Sequence, residues 1–268
     1  MSPWAWSFLP SHSPADSAIA HPVARYDGLD AAELAAHVGA PRVVAFDEVG
    51  STLDVAHELA AAGEVPGTVI LADAQTSGRG RLGRVWRSDA GAGIWLTVIE
   101  RPRDASALDV LSLRIGLALA PVLDDFTATP VRLKWPNDLY VGSAKLGGIL
   151  VEARWRDSAP EWTAIGVGIN VRAPEGEPQA AGLRVGTARI DVLRRVVPAI
   201  RAAAARSGPL DAAEVAAFAA RDAVAGRRCT EPVRGLIRGI DPSGGLAVEI
   251  GSQIAVIRAG SLVLENEL

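Results

Sequence analysis

Residues 75–89 read QTSGRGRLGRVWRSD and contain the string G-x-G-x-x-G at Gly78, Gly80 and Gly83. A dinucleotide fold needs such a loop between a strand and a helix, so that a pyrophosphate meets free N–H groups at the helix start. The preceding GTVILAD, residues 67–73, reads as a strand. The chain then continues through RVWRSD into AGAG, which has no helical apolar spacing and carries glycines that are costly in a helix. Context therefore excludes the dinucleotide fold. What is left to explain is a glycine-rich loop carrying Arg79, Arg81, Arg84 and Arg87.

The rest of the chain narrows the meaning of those arginines. Net charge is −4 over 268 residues, so no global field favours nucleic acid or an anionic membrane, and a local basic loop points to a small anionic ligand. A composition 49% hydrophobic and 22% charged suits one large globular domain with a small appendage. Cys229 is the sole cysteine and can form no internal disulfide, which fits a reducing, cytoplasmic setting. His12, His21, His37 and His57 lack ligand spacing, so no structural zinc is expected and they read as solvated surface residues. The apolar stretch Val110–Leu123 is broken by Arg114 and falls short of the roughly 18 residues of a membrane span. Residues 1–24 lack a basic n-region and are interrupted by Pro10 and Pro14, so they read as an irregular leader with Trp4, Trp6 and Phe8 available to pack on the body.

Hydrophobic periodicity organises the remainder. Asp30 is placed to cap a helix over AAELAAHV, and Ser51 or Thr52 to cap another over LDVAHELAAAG. RVVAFDEV, GTVILAD, GIWLTVIE, VRLKW, KLGGILVEARW and EWTAIGVGINV read as strands. ALDVLSLRIGLALAPVLDDF is a long helix by its three and four spacing, and RIDVLRRVVPAIRAAAARS and LDAAEVAAFAARD form a later helical pair with a kink expected at Pro198. From about residue 226 short β runs alternate with turn signals such as Asp241-Pro242-Ser243-Gly244-Gly245, which predicts a small all-β barrel. The expected boundaries are a leader over 1–24, a main domain over 25–225 and a small domain over 226–268.

Several short motifs can carry chemistry. In VRLKWPNDLYV, residues 131–141, Lys134, Asn137 and Asp138 converge on one loop; Asp138 can hold Mg²⁺ together with substrate phosphates, or the segment is a structural turn. In SAKLGGILVE, Lys145 precedes the Gly147-Gly148 pair, which marks either close approach by an anionic ligand or an edge lysine with a bulge. In GVGINV, Asn170 is a strand amide that must find partners in protein or ligand.

Taken in order, GST at 50–52, QTSGRGRLGRVW at 75–86, KWPND at 134–138, KLGGIL at 145–150 and GVGIN at 166–170 resemble the motif series of biotin protein ligases. The resemblance is close over residues 42–172 and looser over 226–264. It implies an α/β (α+β) fold: a mixed, largely antiparallel sheet flanked by helices, of the class II synthetase-like biotin/lipoate ligase type, plus a C-terminal SH3-like β-barrel. It implies that biotin and MgATP give biotinyl-5′-AMP and pyrophosphate, after which a lysine of a biotin carboxyl carrier protein or domain attacks the mixed anhydride. By the same resemblance Ser51, Thr52, Leu53, Gln75 and Gly148 match the biotin pocket. Arg79, Gly80 and Arg81 match the segment around biotin's carboxylate. Lys145 and Arg81 are the catalytic candidates. Arg84, Trp86, Lys134, Asn137, Asp138 and Asn170 match the ATP side, with Asp138 toward Mg²⁺ and Trp86 as a wall for adenine.

Two positions depart from the family. Leu53 stands where members usually have Asn, and Asp54 or a backbone group is expected to compensate or affinity to be lower; Leu82 stands where some members carry another arginine. The alternatives are a lipoate or other acyl-protein ligase of the same fold, and a non-catalytic biotin-binding homologue. The roughly 40 residues before the first core strand hold one arginine and no lysine, too little for a groove-reading helix, so an enzyme without DNA binding is expected. Exposed β edges leave a sheet-mediated homodimer open.

Overall fold

The computed structural model describes residues 21–102 and 105–265. The first twenty residues of the expected leader, with Trp4, Trp6 and Phe8, lie outside the described residues.

Local chemistry sets the helix starts. The helix α1, Ala31–Val38, opens on a capping box in which Asp30 accepts from the N–H groups of Ala32 and Glu33 while the Glu33 carboxylate accepts from Asp30 N–H. It stops at Gly39 in the left-handed conformation that glycine tolerates. After β1, Val43–Val49, Ser51 rather than Thr52 caps α2, Thr52–Ala61. The strands β2, Val69–Gln75, and β3, Gly93–Glu100, flank the arginine loop. The long predicted helix is α3, Leu111–Leu123, extended by single 3₁₀ turns at both ends.

The segment around KWPND departs from expectation. Strand β4, Val131–Lys134, turns at Trp-Pro-Asn directly into a further strand β5, Asp138–Val141, and this hairpin is continued by β6, Ala144–Arg156, and β7, Ala159–Asn170. Four residues that begin with a half-buried Asp are too short and too polar at one end to announce a strand by alternation. The helices α4, Arg189–Ala204, which continues through Pro198, and α5, Ala212–Arg221, follow.

The seven strands are ordered β1-β2-β3-β7-β6-β5-β4; only β1 and β2 run parallel. Strand alternation divides the core between two faces. Val43, Ala45, Leu71, Leu96 and Val167 join α1, α3 and α4 on one face, while Val44, Phe46, Ile70, Ile99 and Ala164 meet Leu53, Ala56 and Ala60 of α2 on the other. This is the mixed, largely antiparallel sheet with flanking helices that the motif series implied.

A second, five-stranded antiparallel sheet is built from β8, Arg228–Glu231, β9, Gly235–Ile240, β10, Leu246–Ile250, β11, Gln253–Ile257, and β12, Val263–Leu264, in the order β11-β10-β9-β8-β12. Its Ile237, Leu246, Val248 and Leu264 belong to the same buried cluster as the first face of the large sheet. Trp135 Nε1 donates to Gly244 O at 2.9 Å across the junction. Gly244 has φ 79° and packs where a Cβ would crowd Val110 and Leu113, so the turn needs glycine twice over.

Candidate active site

On the face that carries α2, beyond its N-terminus, a cavity of about 430 Å³ opens over the sheet. Its floor is made by absence. Gly148 pairs with Gly168 and Leu150 with Gly166 across β6 and β7, so three glycines leave a hollow. A Cβ on Gly168 would meet the Trp86 ring at 2.6 Å, and one on Gly166 would meet Leu53 at 3.2 Å, so both side chains lie directly on the glycine backbone.

One end of the cavity is polar and hydrogen-bonded in advance. Thr97 Oγ1 donates to Thr52 Oγ1 (2.9 Å), Thr52 N–H and Oγ1 both donate to Gln75 Oε1 (2.9 and 3.1 Å), and Gln75 Nε2 donates to Ser88 Oγ (2.8 Å). Thr52 and Ser88 are buried, so these partners fix their orientation, and the buried Ser51 Oγ accepts separately from Leu53 N–H at 3.3 Å. Leu53 is 4% exposed and lines the same end. Asp54 does not fill in for the missing amide: it points to Arg79 and its side chain is half exposed.

The other end is cationic. Lys145 Nζ sits 2.7 Å from Asp138 Oδ1 and 5.1 Å from the centre of the Trp86 ring. Arg81 donates to two neutral acceptors, Asn137 Oδ1 (3.4 Å) and Gly260 O (3.3 Å). Burial draws the Arg81 pKa down; Asp138 opposes this and Arg84 adds to it. A guanidinium so placed gains from an arriving anion. Arg84 donates to Ser261 Oγ at 3.2 Å. Lys134 is buried with its ammonium 5.6 Å from the Tyr140 ring centre. The indole Nε1 of Trp86 is buried without an acceptor.

The four loop arginines therefore separate. Arg81 and Arg84 face the cavity. Arg87 pairs with Asp89 and Glu175 O on the surface, and Arg79, although it lines the cavity, is engaged by Asp54 and Glu152. Ser51, Thr52, Leu53, Gln75, Arg79, Gly80, Arg81, Arg84, Trp86, Lys134, Asn137, Asp138, Lys145 and Gly148 all line the one cavity. Asn170 does not: it is 4% exposed and donates to Ala181 O (3.1 Å) and Lys145 O (3.5 Å), so it holds the strand of Lys145 in place instead. His57 also departs from the surface reading, being half-buried between Glu152 and Trp162.

Sequence reasoning missed Ser261, Leu262 and Val263, which close the cavity from the small sheet. Nothing local marks them; they are ordinary β residues until the fold brings the loop at 260–261 onto the arginines. Trp95, which reads only as strand, and Tyr140, which lies unassigned in the loop motif VRLKWPNDLYV, are also lining residues.

For a divalent cation the donor set is small. Among the described residues no group of three His, Cys, Asp or Glu side chains could hold a metal ion. One carboxylate, Asp138, fits Mg²⁺ only when nucleotide phosphates and waters complete the shell. Among the described residues no helix is long and apolar enough to cross a membrane.

The Biotin/lipoate A/B protein ligase family matches residues 49–170. Biotin--[acetyl-CoA-carboxylase] ligase of Mycobacterium tuberculosis is 35% identical over 237 residues, spanning 81% of this chain and 86% of that protein. The chain belongs to the biotin protein ligase family. A biotin protein ligase from Aquifex aeolicus, solved in complex with biotin and ATP, superposes with a TM-score of 0.67 at 27% identity, covering 83% of this chain and 97% of that one. The bifunctional ligase/repressor BirA of Bacillus subtilis is 36% identical over 130 residues, and this chain spans 40% of its length. Within the biotin protein ligase family the matched region runs from the end of β1 to the end of β7, which contains every cavity residue except those from the 179 region and from 261–263.

Proposed function

We propose that this chain is an ATP-dependent biotin protein ligase: it converts biotin and MgATP to biotinyl-5′-AMP and pyrophosphate, then transfers biotin to a lysine of a biotin carboxyl carrier protein or domain. The observation that carries the reading is one cavity with two chemically distinct ends. The network of Thr52 and Gln75, with the helix-capping Ser51 beside it, offers fixed polar groups for a ring with amide-like groups. Arg81, Arg84 and Lys145 face a space where a carboxylate and a phosphate can meet.

The chemistry requires those cations. A carboxylate oxygen attacks the α-phosphorus, the bond from phosphorus to the pyrophosphate oxygen breaks, and both reactants are anionic. Fixed positive groups lower the repulsion and stabilise the charge that grows on the phosphoryl oxygens. Lys145 is the catalytic candidate because its ammonium faces the cavity between Trp86 and Asp138. Asp138 and the nucleotide phosphates would hold Mg²⁺, which supplies charge screening at the phosphates. In the second step a deprotonated lysine amine attacks the acyl carbon and AMP leaves with the anhydride oxygen. Arg79 and Gly80 line the cavity beside Arg81, and the half-buried Trp86 indole offers a flat wall for a base.

The cytoplasm is the proposed setting, supported by Cys229 as a buried free thiol. Incubation with biotin, MgATP and a purified carrier domain is expected to add one biotinyl group to a single carrier lysine, read by mass spectrometry. An unmodified carrier under these conditions, with the same carrier modified by an authentic ligase, would refute the transfer step.

A further inference from the structure

Behind the polar end, which is the proposed acid-binding end, lies a chain of contacts among His57, Glu152 and Trp162, none of which lines the cavity. Glu152 follows Gly148 and Leu150 along β6 on the same face, and so stands one row beyond the cavity floor. Trp162 Nε1 approaches His57 Nδ1 at 3.0 Å, and His57 Nε2 lies 2.9 Å from Glu152 Oε2. An indole N–H can only donate, so His57 Nδ1 must accept, and the proton of the neutral ring is on Nε2, where it donates to Glu152. The same Glu152 oxygen accepts from Arg79 Nη2 at 3.1 Å, while Arg79 Nη1 pairs with Asp54. Burial works against charge on Glu152, but His57 and Arg79 together outweigh it and hold the carboxyl below its ordinary range.

We infer that Glu152, oriented by His57 and Trp162, is a positioning residue that clamps Arg79, so that Arg79 anchors the arginine loop over the acid-binding end and leaves anion contact to Arg81 and Arg84. Both terminal nitrogens of Arg79 are occupied by carboxylates beside the polar end: Asp54 follows Leu53 on α2, and Glu152 lies two residues past Leu150 on β6, the strand whose opposite end carries Lys145. The clamp therefore governs how well the acid is held, and the inference rests on the proposed acid-activating role of the cavity.

Two readouts on the full chain test it with Glu152→Ala, Glu152→Gln and Trp162→Phe. The first is steady-state pyrophosphate release. Glu152→Ala is expected to raise KM for biotin about tenfold, the scale of one lost charge-assisted hydrogen bond, with KM for ATP moving less than about twofold. Glu152→Gln, whose amide oxygen can still accept from His57 and Arg79, is expected to recover to within about threefold of wild type. The second readout is independent of which acid is used: the rate of tryptic cleavage after Arg81 and Arg84, beside the exposed Leu82 and Val85. An anchored loop resists cleavage, so Glu152→Ala and Trp162→Phe should be cut faster than wild type, the former by about tenfold. If Glu152→Ala fails to fold, Trp162→Phe and Glu152→Gln carry the comparison alone. Equal shifts in both KM values, or cleavage at the wild-type rate, would overturn the clamp. A wild-type chain that releases no pyrophosphate with biotin would instead refute the ligase reading, with the proteolysis result still deciding the clamp.

Discussion

Lys145 and Arg81 both line the cavity without being enclosed in carboxylates: one shares Asp138, the other has neutral acceptors. Lys145→Ala and Arg81→Ala are expected to fold with near wild-type circular dichroism and lose most of their biotin-dependent adenylation, at least about a hundredfold in kcat/KM. Wild-type activity in either variant removes that residue from the mechanism. Gly168 makes a sharper steric case, because a methyl there would meet the Trp86 ring at 2.6 Å. Gly168→Ala should displace Trp86 and lower affinity for ATP by about tenfold in a direct titration, while unchanged affinity would show that the indole is not a ligand wall. At this scale the sequence was informative where a residue type is rare in its context, as with arginines on glycines or a lysine before paired glycines. It left the answer open where the backbone decided the use of a side chain: Asn170 donates to the Ala181 and Lys145 carbonyls, and Asp54 pairs with Arg79.

Among the elements, α3 and α5 are joined by an ion pair that the apolar helix pattern showed only as an interruption. Arg114 Nε donates to Glu214 Oε1 at 2.8 Å with both side chains buried, and Arg114 Nη2 also meets the carbonyls of Gly208 and Pro209. Glu214→Ala would strand the guanidinium and is expected to cost about 3–5 kcal/mol in urea unfolding. A cost under about 1 kcal/mol would contradict that account. Burial opposes charge on Glu214, but Arg114, the Asp211 N–H contact and Arg206 prevail and hold its pKa below the ordinary 4.5. A depressed folded-state pKa gives stabilisation that is complete above about pH 4.5 and lost as pH falls through the folded value. The advantage of wild type over Glu214→Gln should accordingly shrink with acidification in that range. Helix ends were legible because capping is local: Asp30, Glu33 and Gly39 mark α1 on their own. Strand β5 was not, because its identity comes from pairing with β4 and β6 rather than from alternation within four residues.

At the scale of the whole molecule, the buried cluster of the large sheet runs without a break into Ile237, Leu246, Val248 and Leu264 of the small one. The full chain is therefore expected to unfold in a single calorimetric transition; two resolved transitions would show that the sheets are energetically separate. The small sheet also supplies Gly260 O and Ser261 Oγ to Arg81 and Arg84, so it takes part in holding the site. That contribution was invisible in the sequence because it joins positions some 180 residues apart with no charge or motif at the small-sheet end. The motif order, by contrast, conveyed the large sheet and its cavity together, since the motifs fall at strand ends that the antiparallel order brings side by side. The central claim is that this cavity joins biotin to AMP. Its most direct test is pyrophosphate release by the purified chain from ATP and Mg²⁺, with biotin, lipoate and octanoate as parallel acids. Release that depends on biotin, and is absent with the other two, is the predicted result; release only with lipoate or octanoate, or with none of the three, would contradict it.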